Sequence, residues 1–427
     1  MKGFTTFFII MLVTPVVLFA QINWVEHTIC DNFDGAVWVH ACNIDGDDDV
    51  DVVGAAWEAD AIAWWENDGS QSFTEHTITD NYDGAACVYA IDLDTDGDGD
   101  ILGAAYFADA ITWWENDGSE SFTEHTIDGN FDGAYSVYAI DVDDDGDVDI
   151  VGAARTANAI TWWENDGDEN FTEHTIAGNF LDASSVYAID VDDDGDVDIL
   201  GAAGIADDIT WWENDGSESF TEHTIDGNFD GATSVFAVDL DNDNDVDVLG
   251  AAWNANDVAW WENDGSENFT KHTVDNNFSG AGAVYARDLD NDNYADILAA
   301  AWYSDAIAWW GNGDEGVITD SFDYAHSVYA IDVDGDGDED VLGAAFLADD
   351  ITWWESNLLG IEEHGAAVPG NQSYGPTIIS GQLELPQGKH CCVYDIMGRA
   401  RDPLQLQPGI YFIVIDGETA GKVIRIK

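Results

Sequence analysis

The chain has 427 residues and a formal net charge of −78, from 88 Asp and Glu against 10 Lys and Arg. That imbalance excludes nucleic acid and anionic lipid surfaces as natural partners. It does not signal disorder, because 46% of residues are hydrophobic and 19 are Trp, ample for a core.

The N-terminus reads as a secretory signal peptide over residues 1–20. Lys2 supplies the charge, Phe7 to Phe19 a mostly apolar run, and Ala20 a small residue before the cut. The run is short for a membrane span, and no other segment could cross as a helix. Five Cys (Cys30, Cys42, Cys87, Cys391 and Cys392) are too few and too scattered for a disulfide framework. Cys30 and Cys42 form a candidate bridge, and the odd count leaves a thiol unpaired within the chain.

An acidic loop of the form D-x-D-x-D-G-D-x-D then recurs seven times, beginning at Asn43, Asp92, Asp141, Asp190, Asp239, Asp288 and Asp332. The first five steps are 49 residues and the last is 44. A fixed period of this size marks an array of stacked units. In the third unit, Ser136–Ile140 is a β-rich run into the loop, and Val148–Ala154 and Ala159–Glu164 follow it. Asn165-Asp166-Gly167 is a hairpin signal, and Phe171–Ile176 is a fourth run. Four short strands repeated radially describe an all-β, seven-bladed β-propeller over residues 22–358.

The blade count closes from the ends. Trp64, Trp113, Trp162, Trp211, Trp260, Trp309 and Trp353 each begin a Trp-Trp pair. The fourth-strand text E-H-T-I follows the early pairs, shrinks to Gly316-Val317-Ile318 after the sixth, and is missing after the seventh. Trp24–Ile29 carries that text alone before the first blade, so it is expected to complete blade seven and close the ring. Neighbouring residues on a strand point to opposite faces, so both Trp rings read as packing between blades. His76, His125, His174, His223 and His272 recur with the same period and read as strand residues with a local hydrogen bond.

The loops carry the chemistry. Carboxylates at alternate positions, curled around a centre without His or Cys, select Ca²⁺ over transition metals and over Mg²⁺. The candidate set is Asn43, Asp45, Asp47, Asp49 and Asp51 in the first loop; Asp92, Asp94, Asp96, Asp98 and Asp100 in the second. It continues with Asp141, Asp143, Asp145, Asp147 and Asp149, then Asp190, Asp192, Asp194, Asp196 and Asp198. The last three loops add Asp239, Asp241, Asp243, Asp245 and Asp247; Asp288, Asp290, Asp292, Tyr294 and Asp296; and Asp332, Asp334, Asp336, Asp338 and Asp340. Side chains are expected to bind from positions 1, 3, 5 and 9 and a backbone carbonyl from position 7, for up to seven Ca²⁺. Position 6 needs a left-handed residue, hence Gly97, Gly146, Gly195 and Gly337, with Asn244 and Asn293 as the tolerant alternative. Asp48 breaks that rule in the first loop.

On the opposite face the repeat text varies. Trp57, Tyr106, Arg155, Gly204, Trp253, Trp302 and Phe346 stand at one equivalent position. Trp57, Tyr106, Arg155, Trp253, Trp302 and Phe346 are the candidate ligand-binding residues, beside Asp60, Asp109, Asn158 and Asp305. Packing over the blade edge is the competing reading. No nucleophile–base–orienter set is readable, so no catalytic residue is assigned and the chain is expected not to be an enzyme.

The unit Asp196–Ala203, D-V-D-I-L-G-A-A, and its copies resemble the FG-GAP or VCBS repeat of seven-bladed propellers. The resemblance implies Ca²⁺ in the loop between strands one and two. After a linker at residues 359–375, residues 376–427 read as a small β-sandwich of short strands. Val393–Arg399, Pro408–Ile415 and Gly421–Lys427 resemble the C-terminal sorting domain of the type IX secretion pathway. That resemblance implies passage through the type IX machinery to the outside or to the outer cell surface. The chain is thus expected as a secreted or surface-held, monomeric, non-catalytic binding or adhesion module for an extracellular glycan or protein. A lectin-type propeller is the alternative, and a polysaccharide-active enzyme or its accessory domain the weaker one.

Overall fold

The computed structural model describes residues 22–358 apart from 48, 313 and 314, and the strand residues 377–379, 391–395, 400–401, 409–415 and 418–425. Within 22–358 it forms seven four-stranded antiparallel sheets arranged as a propeller. Blade three runs Ala134–Ile140, Asp149–Ala154, Ala159–Asn165 and Phe171–Ala177 from the axis outward. Its inner strand starts earlier than the sequence suggested, because a register shift between Ala134 and Ser136 lets the pairing continue past an irregularity. Blade six keeps a short outer strand, Glu315–Thr319.

Blade seven is completed across the ends of the propeller. Ile22–Cys30 pairs antiparallel with Asp350–Leu358, which pairs with Asp340–Ala345 and then Ala325–Ile331. His27 stands opposite Trp353, the register that puts His76 opposite Trp64 in blade one. The N-terminal strand is therefore a true outer strand, and no sheet edge between the ends is left open.

The core lies between blades. Trp64 packs with Tyr82, Val88 and Trp114 of blade two, while Trp65 packs with Leu342, Ile351 and Trp353 of blade seven. One pair thus serves both interfaces, as alternation along a strand requires. The second ring of each pair meets the aromatic residue of the blade connection edge-on: Phe33 with Trp65 at 5.1 Å, Phe180 with Trp212 at 5.0 Å and Phe229 with Trp261 at 5.0 Å. This wedge explains the glycine of the G-A-A text. A Cβ on Gly152 would sit 2.8 Å from Trp163 Cζ3 and 3.2 Å from Phe131 Cε1. The first ring of the pair stacks on the outer-strand His, as in Trp64 with His76 at 4.5 Å and 18°.

Two rings of contacts run around the axis. His40, Tyr89, Tyr138, Tyr187, Phe236, Tyr285 and Tyr329 form a closed circle with centroids 4.4 to 5.1 Å apart. Burial without charge compensation pushes His40 down to about 3, so it is neutral. At the blade connections, Asp60 sits at φ 53°, and its carbonyl and Oδ1 accept Tyr82 N–H at 2.7 Å and Gly84 N–H at 2.9 Å. Asp349 does the same for Phe33 and Gly35, so this ring also closes from blade seven to blade one.

Cys30, Cys42 and Cys87 are free thiols, which corrects the candidate bridge. Cys30 ends the closing strand near the blade connections, whereas Cys42 leads into an acidic loop at the other end. No helix among the described residues is long and apolar enough to cross a membrane.

A boundary at Leu358 and Leu359 separates a second unit. Its described strands form one five-stranded sheet ordered Thr377–Ile379, Glu418–Arg425, Gly409–Ile415, Cys391–Asp395 and Ala400–Arg401. The first two are parallel and the remaining neighbours antiparallel. The signal peptide, the linker and the remainder of the expected sandwich lie outside the described residues.

Candidate metal centres and the opposite face

Each acidic loop joins the inner strand to the second strand, and its residues take fixed roles. In the second loop, Asp92 Oδ2 accepts Gly97 N–H at 3.1 Å, Asp94 Oδ1 accepts Asp96 N–H at 3.0 Å, and Asp96 Oδ1 accepts Asp98 N–H at 3.0 Å. The carboxylates at positions 1, 3 and 5 therefore each give one oxygen to the backbone. One oxygen from each of Asp92, Asp94 and Asp96 lies within 4.8 Å of the others, and the same holds for Asp190, Asp192 and Asp194. In the third and fifth loops the grouped oxygens come from Asp141, Asp143 and Asp149 and from Asp239, Asp241 and Asp247.

The residues present fit a hard cation. Asp92 Oδ1, Asp190 Oδ1 and Asp239 Oδ1 are buried and accept no hydrogen bond. A buried carboxylate oxygen without a donor is costly, and a cation in the loop would satisfy it. The surrounding donors are all oxygen, the chemistry Ca²⁺ takes. Burial, reinforced by neighbouring carboxylates, raises Asp94, Asp143, Asp192, Asp241 and Asp334 above the usual carboxylate range.

Position 9 is the anchor. Asp198 is fully buried; its Oδ2 accepts Val191 N–H at 3.0 Å and its Oδ1 accepts Asn214 N–H at 2.8 Å. It ties the start of the loop to the end of the third strand. Burial pushes Asp100, Asp149, Asp198 and Asp296 up to about 7, Asp51 and Asp247 to about 6, and Asp340 to about 8, against the backbone N–H groups that pull them down. In blade six Gly311 stands where the earlier blades carry Glu, and Asp296 Oδ1 accepts no hydrogen bond. In blade seven Ser356 takes the place of the turn Asn, and its N–H donates to Asp340 Oδ1 at 2.8 Å.

Position 7 is used differently. The carboxylates of Asp49, Asp98, Asp147, Asp196 and Asp245 lie against Gly69, Gly118, Gly167, Gly216 and Gly265 of the hairpin turns, where a Cβ has no room. Their side chains are thus turned toward the Asn-Asp-Gly turn, consistent with a role for the carbonyl alone. Tyr294 takes this place in blade six. In the first loop Asn43 Oδ1 accepts Gly46 N–H at 2.7 Å, as Asp332 Oδ1 accepts Gly335 N–H at 2.8 Å in the seventh.

Sequence reasoning missed the turn asparagine. Asn116 donates through Nδ2 to Gly99 O of its own blade at 3.2 Å and to Ile44 O of the preceding loop at 2.9 Å. Asn214 and Asn263 make the same two-way link. Adjacent loops are therefore coupled through one side chain. Its recurrence in every W-W-E-N-D-G copy was the available signal. The recurrent His is a local strand residue: His76 Nε2 lies 2.9 Å from Glu66 Oε2.

At the opposite end, Trp57, Tyr106, Arg155, Trp253, Trp302 and Phe346 are all half-buried in the turns between strands two and three. Trp57 contacts Tyr106 at 5.3 Å and Phe107 at 5.2 Å; Trp302 contacts Trp253 at 6.1 Å and stacks on Tyr324 at 5.8 Å. Tyr324 also touches Phe346 at 5.6 Å. Arg155 is held by Asp182 through Nε at 2.6 Å and Nη2 at 2.8 Å, over the Tyr135 ring. Asp60, Asp109, Asn158 and Asp305 each give Oδ1 to a backbone N–H of the next blade.

The repeat matches the FG-GAP-like repeat family over residues 43–103, 92–152, 141–201, 190–250, 239–299 and 288–343. The chain belongs to that family. No curated protein matches it by sequence. Among solved structures, this FG-GAP-like propeller is similar to streptogramin B lyase, with a TM-score of 0.58 and 14% identity over 79% of this chain and 98% of that one. It is also similar to the WD40 β-propeller domain of Doa1, with a TM-score of 0.57 and 13% identity over 79% of this chain and 97% of that one. These likenesses are of fold. The FG-GAP-like propeller thus has one acidic and one variable face, a fold consistent with a binding module.

Proposed function

We propose that the protein is an exported propeller, stiffened by Ca²⁺ in its acidic loops, that binds an extracellular partner and performs no chemistry of its own. The observation that carries the reading is the division of the repeat. Residues that shape the loops, the Trp wedges and the turn asparagines recur from blade to blade. The residues that change are gathered on the face between strands two and three, where Trp57, Tyr106, Arg155, Trp253, Trp302 and Phe346 stand. A scaffold held constant under a varied surface supports recognition. The loops supply the fit for Ca²⁺: grouped carboxylates with orphaned buried oxygens at Asp92, Asp190 and Asp239. Bound there, the ion would supply charge neutralisation and rigidity, while Asn116 and its equivalents hold one loop to the next. The signal-like N-terminus and the sorting-domain motifs of the C-terminal unit support delivery to the outside through the type IX pathway.

The test is binding of the full chain, in Ca²⁺, to arrays of glycans and of extracellular proteins, with Trp253→Ala and Trp302→Ala as probes of the face. Binding that these variants weaken supports the reading. Turnover of glycosides or esters by the purified protein would overturn its non-catalytic part, and binding untouched by either variant would displace the ligand face.

A further inference from the structure

Five of the large apolar side chains exposed in the propeller sit at the face described above: Phe107 (55% exposed), Leu181 (45%), Ile205 (69%), Tyr303 (55%) and Leu347 (58%). Phe107, Tyr303 and Leu347 belong to blades two, six and seven, and half-buried Trp57 of blade one fills the gap between them. They form one arc across four consecutive blades. Exposed apolar side chains grouped in this way mark a contact surface.

The arc is laced with acid. Phe107 N–H bonds Asp83 O, Leu347 N–H bonds Asp323 O, and Ala59 N–H beside Trp57 bonds Asp34 O. Asp34, Asp83 and Asp323 are all exposed, so Trp57, Phe107 and Leu347 each have an exposed carboxylate in the adjoining turn, while Tyr303 has Ser279 there. No free cation answers them within residues 22–358. Arg155 is held by Asp182, Lys271 by Asp226 and Asp257, and Arg287 by Glu339.

The polar groups of the face argue against sugar as the occupant. A glycan site needs donors and acceptors aimed at hydroxyls. Here Asp60, Asp109 and Asp305 already accept backbone N–H groups, and both arms of Arg155 are tied. The exposed Leu347, Ile205 and Leu181 are aliphatic and offer no stacking plane. Apolar anchors ringed by unpaired carboxylates complement a protein surface with apolar side chains at its centre and Lys or Arg at its rim.

We infer that the arc formed by Phe107, Trp57, Leu347 and Tyr303 docks a protein segment that is basic and apolar together. This rests on the binding-face reading above and names the partner class for it.

The experiment uses the full chain in Ca²⁺ and fluorescent synthetic peptides of equal length: one combining Arg with Leu and Phe, one combining Arg with Ser, and one combining Glu with Leu and Phe. Neutral oligosaccharides form a fourth probe. Two variants are compared with the parent, Phe107→Ser/Tyr303→Ser/Leu347→Ser and Asp34→Asn/Asp83→Asn/Asp323→Asn. All six side chains are exposed, and unchanged melting temperatures establish that both variants fold. The expected result is binding of the Arg/Leu/Phe peptide alone, weakened at least tenfold by the serine variant. The asparagine variant should weaken it too and flatten its salt dependence. Equal binding of the Arg/Ser peptide, or indifference to the serine variant, would overturn the inference, as would no binding of any peptide. Oligosaccharide binding that the serine variant abolishes would refute the partner class while leaving the binding face standing.

Discussion

Replacing Asp198 by Asn should change stability with opposite sign in metal-free and Ca²⁺-loaded protein. Without metal, burial holds Asp198 at about 7, against an ordinary value of 3.8. At pH 8 the ionised native form therefore carries a penalty of roughly 4 kcal/mol, at about 1.36 kcal/mol per tenfold. Asn removes that charge. It also turns an NH₂ group toward one of the two N–H donors, Val191 or Asn214, that Asp198 now satisfies. The orphaned donor costs about 1–3 kcal/mol. The balance is a gain of about 1–3 kcal/mol for the metal-free protein at pH 8. In Ca²⁺ the same change removes a charged group from the edge of a cation site and should destabilise. The assay is paired thermal melts, with chelator and with Ca²⁺, at pH 8. Destabilisation in chelator as large as that in Ca²⁺ would refute the account of position 9.

Other outcomes follow from the same contacts. In chelator, the native protein keeps protons on Asp51, Asp100, Asp149, Asp198, Asp247, Asp296 and Asp340 that the unfolded chain has lost above about pH 4. Its stability should fall as pH rises through about 6 to 8, whereas in Ca²⁺ protons compete with the ion and stability should fall as pH drops; melts across pH 5–8 check both slopes. Phe229→Ala empties a buried wedge against Trp261 and should cost about 3–5 kcal/mol by denaturant unfolding. Gly152→Ala places a methyl group against Trp163 and Phe131 and should cost about 1–3 kcal/mol in the same assay.

The fold was legible because each blade restates it. The 49-residue step, the Trp-Trp pairs and the lone E-H-T-I text at residues 26–29 were enough for seven blades and their closure. Alternation also explains why one Trp pair could be assigned to two interfaces. The candidate loops were legible from spacing, but their internal division of labour was not. That Asp198 grips two N–H groups, or that Asn116 joins two loops, depends on which strand ends meet in three dimensions. Asp60 and Asp305 looked available for a ligand in sequence. In the fold each sits beside the next blade's connection and accepts its N–H. The Cys30–Cys42 pair misled for the same reason: closeness in sequence does not survive a strand that runs to the other end of a blade.

The most direct test of the calcium-stiffened propeller is a calorimetric titration of chelator-treated full chain with Ca²⁺, read together with its melting temperature. The account predicts saturable uptake approaching seven ions, one for each loop. The melting temperature should rise steeply, since an ion at about 1,000 times its Kd adds about 4 kcal/mol per site bound only by the native state. Absence of binding heat together with an unchanged melting curve would contradict it.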